Sequence, residues 1–295
     1  MKFRFGVMAR GLDVVRVARK AEDLGYACIS IPDHFGSQLA PMPALAAAAM
    51  GTSTLRLAPL VLCNDFKHPV VLAKEAATLD LISRGRLELG LGAGWMKSDY
   101  TESGIVLDTP GVRIERMAEA LQVIRGLWGA GRCQFSGKYY QVDMEGFPKP
   151  AQASLPLFVG GGGRKMLTLA GQEADIVGIN VDLRSGDYKD LAANFAAEAC
   201  DQKLEWVRAS GREVELNILV GSLAVTNDVD TALREFAREM ETPLDILRDS
   251  PHVLAGSVSQ LVDLLQARRE RWGFSYITVR EDVMEAFAPV VARLL

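Results

Sequence analysis

Residues 55–94 read LRLAPLVLCNDFKHPVVLAKEAATLDLISRGRLELGLGAG. The stretch opens on Leu55–Leu62, an apolar run of the length expected for a buried strand. A helix is expected from Pro69 to Leu81, opening with a proline whose fixed φ suits the first helical position. The turn Ser83-Arg84-Gly85 ends it, and Arg86–Leu91 reads as a second strand. Strand, helix, strand is one unit of a parallel sheet, because parallel neighbours need a crossover that a helix supplies.

The same alternation extends in both directions. Upstream, Phe3–Val7 reads as a strand, followed by a helix over Asp13–Leu24. Val14, Val17, Ala18, Ala21 and Leu24 fall there at helical spacing, and Gly25 closes it. Ala27–Ile31 and a helix at Pro43–Met50 complete the second unit. Downstream, the helix Gly111–Leu127 follows the fourth strand, and Gln134–Pro150 reads as a hairpin or extended excursion. Strands are expected at Leu157–Gly160, Asp175–Ile179, Glu215–Leu223 and Tyr276–Val279. The helices between and after them fall at Lys165–Gly171, within Tyr188–Ala209, at Asp228–Met240, Val258–Arg271 and Asp282–Leu294. Eight strands, each with a helix after it, fit an α/β fold of the (β/α)8 TIM-barrel type better than an open doubly wound sheet. Residues 1–295 read as one domain, with Thr226–Gly256 an insertion between strand seven and its following helix.

Composition excludes several classes. A formal net charge of −4 carries no basic excess that would point to nucleic acid. The longest apolar stretch, Leu39–Gly51, holds two prolines and is too short to span a membrane. Charges interrupt the first twenty residues too often for a secretory leader. Cys28, Cys63, Cys133 and Cys200 lack paired spacing and read as buried free thiols of a cytoplasmic protein. No histidine lies near a cysteine or a second histidine, so no metal site is expected.

In such a barrel, chemistry sits at the carboxyl ends of the strands. Strand two ends Ile31-Pro32-Asp33-His34-Phe35, strand three runs into Cys63-Asn64-Asp65-Phe66, and strand four ends Gly92-Ala93-Gly94-Trp95. Strand five ends in Gly160-Gly161-Gly162-Gly163-Arg164, and strand six in Asn180. The glycine run can seat a phosphate on unpaired N–H groups at a helix start, with Arg164 and Lys165 adding charge, or it can be a plain tight turn. It matches neither a Walker loop nor a dinucleotide fingerprint. His34 beside Asp33 suits acid–base work near neutral pH, or is a buried histidine with one hydrogen bond. Trp95 can wall a planar ligand or pack in the core. His68 reads as structural at a helix start, and Glu115 and Glu119 as a solvated face.

Taken in order, PDHF at 32–35, HPVVLAKEAATLDLISRGRLELGLGAGW at 68–95, GLWGAGRCQFSGKYYQV at 126–142 and PKPAQASLPLFVGGGGRK at 148–165 resemble the bacterial-luciferase-like family. The resemblance covers most of the chain and is weakest at Thr226–Gly256. It implies the same eight-stranded barrel, a homodimer, and a flavin-type cofactor, either FMN or the deazaflavin coenzyme F420. It implies that Gly160–Gly163 and Arg164 receive the cofactor phosphate. The ring would lie over the end of strand three, on a bulge with a cis peptide near Pro59–Leu60 and with Asn64 as a polar contact.

Ala93 replaces the arginine with which the luciferases grip FMN, and the Asp33-His34 pair is similar to the F420-dependent branch. The expected activity is hydride transfer between coenzyme F420 and a small organic substrate. His34 and Asp33 would be catalytic, and Trp95 and Asn180 would border the substrate. Trp95 stands where the sugar-phosphate dehydrogenases of that branch carry glutamate, and Gln38 where they carry tryptophan, which disfavours a glucose-phosphate substrate. An FMN-dependent monooxygenase and a non-catalytic cofactor-binding protein are the alternatives.

Overall fold

The computed structural model describes residues 2–183 and 192–295. Eight strands build the barrel: β1 Arg4–Met8, β2 Cys28–Ile31, β3 Arg56–Pro59, β4 Leu89–Gly92, β5 Leu157–Gly161, β6 Ile176–Ile179, β7 Glu215–Leu219 and β8 Phe274–Arg280. The helices among the described residues are α1 Val14–Asp23, α2 Pro41–Gly51, α3 Pro69–Ile82, α4 Lys97–Ser103, α5 Pro110–Ala130 and α6 Arg164–Glu173, then α7 Ala197–Arg208, α8 Val229–Glu239, α9 Leu244–Asp249, α10 Val258–Trp272 and α11 Met284–Leu294. The expected start of the helix after strand six, Tyr188, lies outside the described residues.

The strands pair in parallel and in chain order, with β8 returning to β1. The third strand supplies the remaining seam. Its first half pairs with β2, and its continuation, Leu62–Cys63, pairs with β4, where Leu62 faces Leu91 and Cys63 faces Gly92. The two halves meet at a cis bond between Leu60 and Val61, one residue beyond the expected Pro59–Leu60 position. The ladder accounts for the difference. Ile31 pairs with Pro59, and the Leu60 N–H still donates to Ile31 O at 2.9 Å, so the chain leaves β2 only after Leu60.

Two apolar layers follow from this closure. The larger lies between strands and helices, where the buried stripe of α1 (Val14, Val17, Ala18, Ala21) packs with Phe5, Ile29 and Phe287 in one cluster. Asp13 starts that helix by accepting the Arg16 N–H, and Gly25 follows its end with φ +84°. The smaller layer fills the barrel with Cys28, Ala58, Phe158, Ile176 and Tyr276. Each fully buried leucine or phenylalanine contributes about 1.5–3 kcal/mol relative to exposure.

The amino ends of the strands are closed by charge. Arg4 of β1 reaches Glu88 at 2.5 Å and Glu215 of β7 at 2.6 Å, and Arg56 of β3 reaches Glu88 at 2.5 Å. Glu88 is buried, and the Arg4 guanidinium lies 3.8 Å from the centre of the Tyr276 ring.

The expected strand Glu215–Leu223 is cut short. Val220 N–H still bonds Thr278 O, but Gly221 and Ser222 turn to His252 O, and Ser222–Val225 pairs instead with Val253–Gly256 in a separate parallel ribbon. Between them lie α8 and α9. Buried Arg268 and His252 tie this excursion down, donating to Ser250 O at 2.6 Å and Leu219 O at 3.2 Å; burial pushes the His252 pKa down to about 3. Gln134–Pro150 contains most of an antiparallel hairpin, Arg132–Ser136 with Gln141–Glu145. All four cysteines are buried and free. Among the described residues no helix is long and apolar enough to cross a membrane.

Candidate active site

A cavity of about 1120 Å³ opens at the carboxyl ends of the barrel strands. Pro32, Asp33 and His34 leave β2 along its wall, followed around the ring by Leu60 and Val61, the turn after β4, the glycines after β5, and Asn180 after β6. Asp33, His34, Leu60, Trp95, Gly160–Gly163, Arg164 and Asn180 therefore share one space, as their strand-end positions required.

Two expected contacts lie outside that lining. Pro59 stays within the β2–β3 ladder, and the cavity face passes to Leu60 and Val61. Asn64 starts a short 3-10 turn that carries it into a buried position, where Nδ2 donates to the Tyr140 hydroxyl at 3.4 Å.

His34 has a partner that sequence reasoning missed. Its Nδ1 lies 2.7 Å from Asp99 Oδ2, and the other Asp99 oxygen accepts the Phe35 N–H at 3.1 Å. An ionised carboxylate only accepts, so Nδ1 carries the hydrogen, and neutral His34 keeps Nε2 as a free acceptor. Asp99 sits in α4, which was not expected; the one available signal was an acidic residue four positions after Trp95. Asp33 does not bond His34. It turns to the third strand, where Oδ2 accepts the Cys63 N–H at 3.0 Å, and burial pushes its carboxyl above the usual range against that bond. Cys63 Sγ lies 3.3 Å from the Tyr100 hydroxyl, which donates to Asp65; burial pushes the thiol up to about 12.

Trp95 meets His34 edge-on, ring centres 5.7 Å apart at 88°. Its turn is locked from α5. Buried Arg113 donates from Nε to Ala93 O at 3.1 Å and from Nη2 to Gly94 O at 3.2 Å, and it also bonds Asp108 O. Gly94 has φ +75°, and a Cβ there would stand 2.0 Å from the Tyr100 hydroxyl.

The glycine run divides by cause. Gly161 and Gly162 are required by packing: a Cβ on Gly162 would lie 2.1 Å from Val181 O, and one on Gly161 2.4 Å from Met166 Cγ. Gly163 precedes α6 without a side-chain cap, which leaves the first N–H groups of that helix open to an anion. Arg164 is exposed and has no ionic partner among the described residues, whereas Lys165 is held by Glu115 at 2.9 Å. Glu115 stays on a solvent-exposed face as its spacing suggested, and hydrogen bonds from Lys165, Tyr139 and Lys138 draw its carboxyl down to about 2. Asn180 caps its own neighbour, Oδ1 accepting the Val181 N–H, while buried Lys203 grips its carbonyl at 2.9 Å.

Residues 9–288 match the model of the luciferase-like monooxygenase family. The F420-dependent glucose-6-phosphate dehydrogenase of Amycolatopsis mediterranei is 27% identical over 294 residues, covering 94% of this chain and 84% of its own. The F420-dependent hydroxymycolic acid dehydrogenase of Mycobacterium tuberculosis is 31% identical over 198 residues, 63% of this chain and 53% of its own. The fold is shared with a solved F420-dependent secondary alcohol dehydrogenase in complex with an F420-acetone adduct. That match has a TM-score of 0.77 and 19% identity over 100% of this chain and 98% of that one. Strand order, the site at the strand ends and the match over nearly the whole length agree: the chain belongs to the luciferase-like monooxygenase family.

Proposed function

We propose that this chain is a coenzyme F420-dependent oxidoreductase that moves a hydride between the deazaflavin and a small organic substrate, with His34 handling the substrate proton. The cofactor assignment rests on the dehydrogenases named above and on a fold shared with F420-dependent enzymes along its full length. The observation that carries the chemistry is the Asp99–His34 pair in the same cavity that the glycine turn enters.

The residues present fit such a group. The cavity has room for a tricyclic ring, Leu60 and Val61 offer it an apolar face, and the open start of α6 with unpaired Arg164 suits its phosphate. When bound, coenzyme F420 supplies a two-electron hydride acceptor or donor. Oxidation of an alcohol carbon breaks its C–H and O–H bonds and forms C=O; the hydride departs with its electron pair, and the proton is left for the protein. His34 takes it at Nε2 while Asp99 holds Nδ1, and reduction runs the same transfer backwards. Asp33 borders the ring side through the third strand, and Trp95 and Asn180 border the substrate. A homodimer belongs to the same reading; on the outer face of α3, Val71 at one end and Leu81 and Ile82 at the other are about half exposed, with Lys74 and Thr78 exposed between them, and a monomeric sedimentation profile would remove it.

Paired fluorescence titrations with coenzyme F420 and FMN test the assignment. F420 should bind more tightly by about tenfold or more, a difference of about 1.4 kcal/mol. Tighter FMN binding together with oxygen-dependent turnover would replace it with a monooxygenase. His34→Ala should lower F420-linked turnover by about 10²-fold or more with cofactor affinity within about twofold; undiminished turnover would take His34 out of the mechanism.

A further inference from the structure

The charged side chains of the cavity wall are unevenly used. Of its arginines and lysines, Arg113 is spent on main-chain carbonyls and Lys165 on Glu115. Two guanidinium groups in the wall, Arg164 and Arg10, have no side-chain partner among the described residues. They stand on opposite sides of the mouth. Arg164 follows β5, and Arg10 follows β1, four strands away in the barrel order.

Arg10 is held on the His34 side. β1 and β2 are hydrogen-bonded neighbours, and the Ala9 N–H donates to Ser30 O at 2.8 Å, so the chain carrying Arg10 and the chain carrying His34 leave the barrel side by side. The backbone of Arg10 is fixed from below. Its N–H and that of Gly11 both donate to Glu281 Oε2 at 3.0 Å, which commits that carboxylate oxygen to main chain, while the exposed Arg10 side chain, a residue of the cavity wall, has no ion pair among the described residues. Beyond β2, Gln38 also lines the cavity, and its buried Oε1 has no hydrogen-bond partner. A buried amide end without a partner keeps its desolvation cost unmet unless a ligand or water satisfies it. The wall beside His34 thus carries a free cation and an unmatched amide.

We propose that the substrate of this enzyme is a small carboxylic acid, its carboxylate held by Arg10 and a second polar group held by Gln38, which orients its reacting carbon towards His34. The inference rests on the oxidoreductase reading above and adds the substrate class. The cofactor phosphate is assigned to Arg164 across the mouth, so Arg10 is left for a separate anion. A planar guanidinium presents two parallel N–H donors to a carboxylate, which a neutral alcohol cannot use.

The test compares straight-chain 2-, 3- and 4-hydroxy acids of four to eight carbons with their primary amides, by calorimetric titration into the protein with and without F420. At least one acid should bind more tightly than its amide by about tenfold, a difference of about 1.4 kcal/mol and the order expected for one charge-assisted contact. In Arg10→Gln that preference should collapse to within about twofold, and Arg10→Lys should keep part of it, while F420 affinity stays unchanged within about twofold. Equal binding of every acid and amide would overturn the proposal. So would an acid preference that survives Arg10→Gln, or a loss of F420 affinity in that variant, which would give Arg10 to the cofactor. Failure of F420 to bind the unaltered protein would strike the oxidoreductase reading, while the acid-against-amide comparison on cofactor-free protein would still decide the role of Arg10.

Discussion

Asp99 accepts two hydrogen bonds, one on each oxygen, and that division fixes what Asp99→Asn should do. In the variant the amide oxygen stays on the Phe35 N–H, so the NH2 group faces His34 Nδ1. Nδ1 must then accept, and the ring proton moves to Nε2, the nitrogen proposed as the base. Turnover should fall by about 10²-fold or more with F420 affinity unchanged; normal turnover in Asp99→Asn would show that the tautomer of His34 is irrelevant. Asp33 makes a different prediction. Burial raises its folded pKa above the unfolded value, so its contribution to stability is full at low pH and is lost as pH rises through the folded pKa. Asp33→Asn keeps an acceptor for the Cys63 N–H and removes the buried charge. Its Tm should exceed that of the parent at pH 7, and the two should converge below about pH 4, where an unperturbed aspartate is protonated. A Tm difference that does not change with pH would rule out this account.

At the scale of elements, the turn from β5 into α6 shows why a legible motif still hid its own causes. Four glycines were plain in the sequence, but nothing there separates a glycine needed by a ligand from one needed by a neighbouring strand. Gly162 is set by Val181 O, a tertiary contact between β5 and β6 ends that no local pattern announces. Gly162→Ala should therefore cost about 1–3 kcal/mol by urea unfolding even without cofactor, and weaken F420 binding as the turn moves. Gly111, in the first turn of α5, meets nothing nearer than Lys165 Nζ at 3.7 Å, so Gly111→Ala should be neutral or stabilising by up to about 1 kcal/mol. Equal losses in both variants would mean that packing against Val181 is not the cause. The α4 helix marks the opposite case. Its seven residues are too few to display a period, so Asp99 stayed invisible until the fold brought it to His34.

For the whole molecule, the barrel was readable because it is a repeated local alternation, and eight recurrences of strand and helix leave few other closures. What could not be read was everything that joins distant strands: the seam at β3, the departure of Ser222–Val225 from the barrel, and the ion cluster at the amino ends. Arg4, Arg56, Glu88 and Glu215 are scattered over more than two hundred residues and meet only because their strands start at one level. That cluster lies at the end opposite the cavity, where a barrel uses its residues for stability and not chemistry. Glu88→Gln removes the carboxylate that faces both guanidinium groups and leaves Glu215 to serve Arg4 alone. Breaking such a pair from one side leaves charge uncompensated, and the arginines here are partly screened, so unfolding free energy should fall by about 3 kcal/mol. F420 affinity and turnover of the folded fraction should stay within about twofold of the parent. An unchanged urea midpoint would show that water already satisfies both arginines; a selective loss of turnover with stability intact would mean that the two ends of the barrel are coupled through the strands.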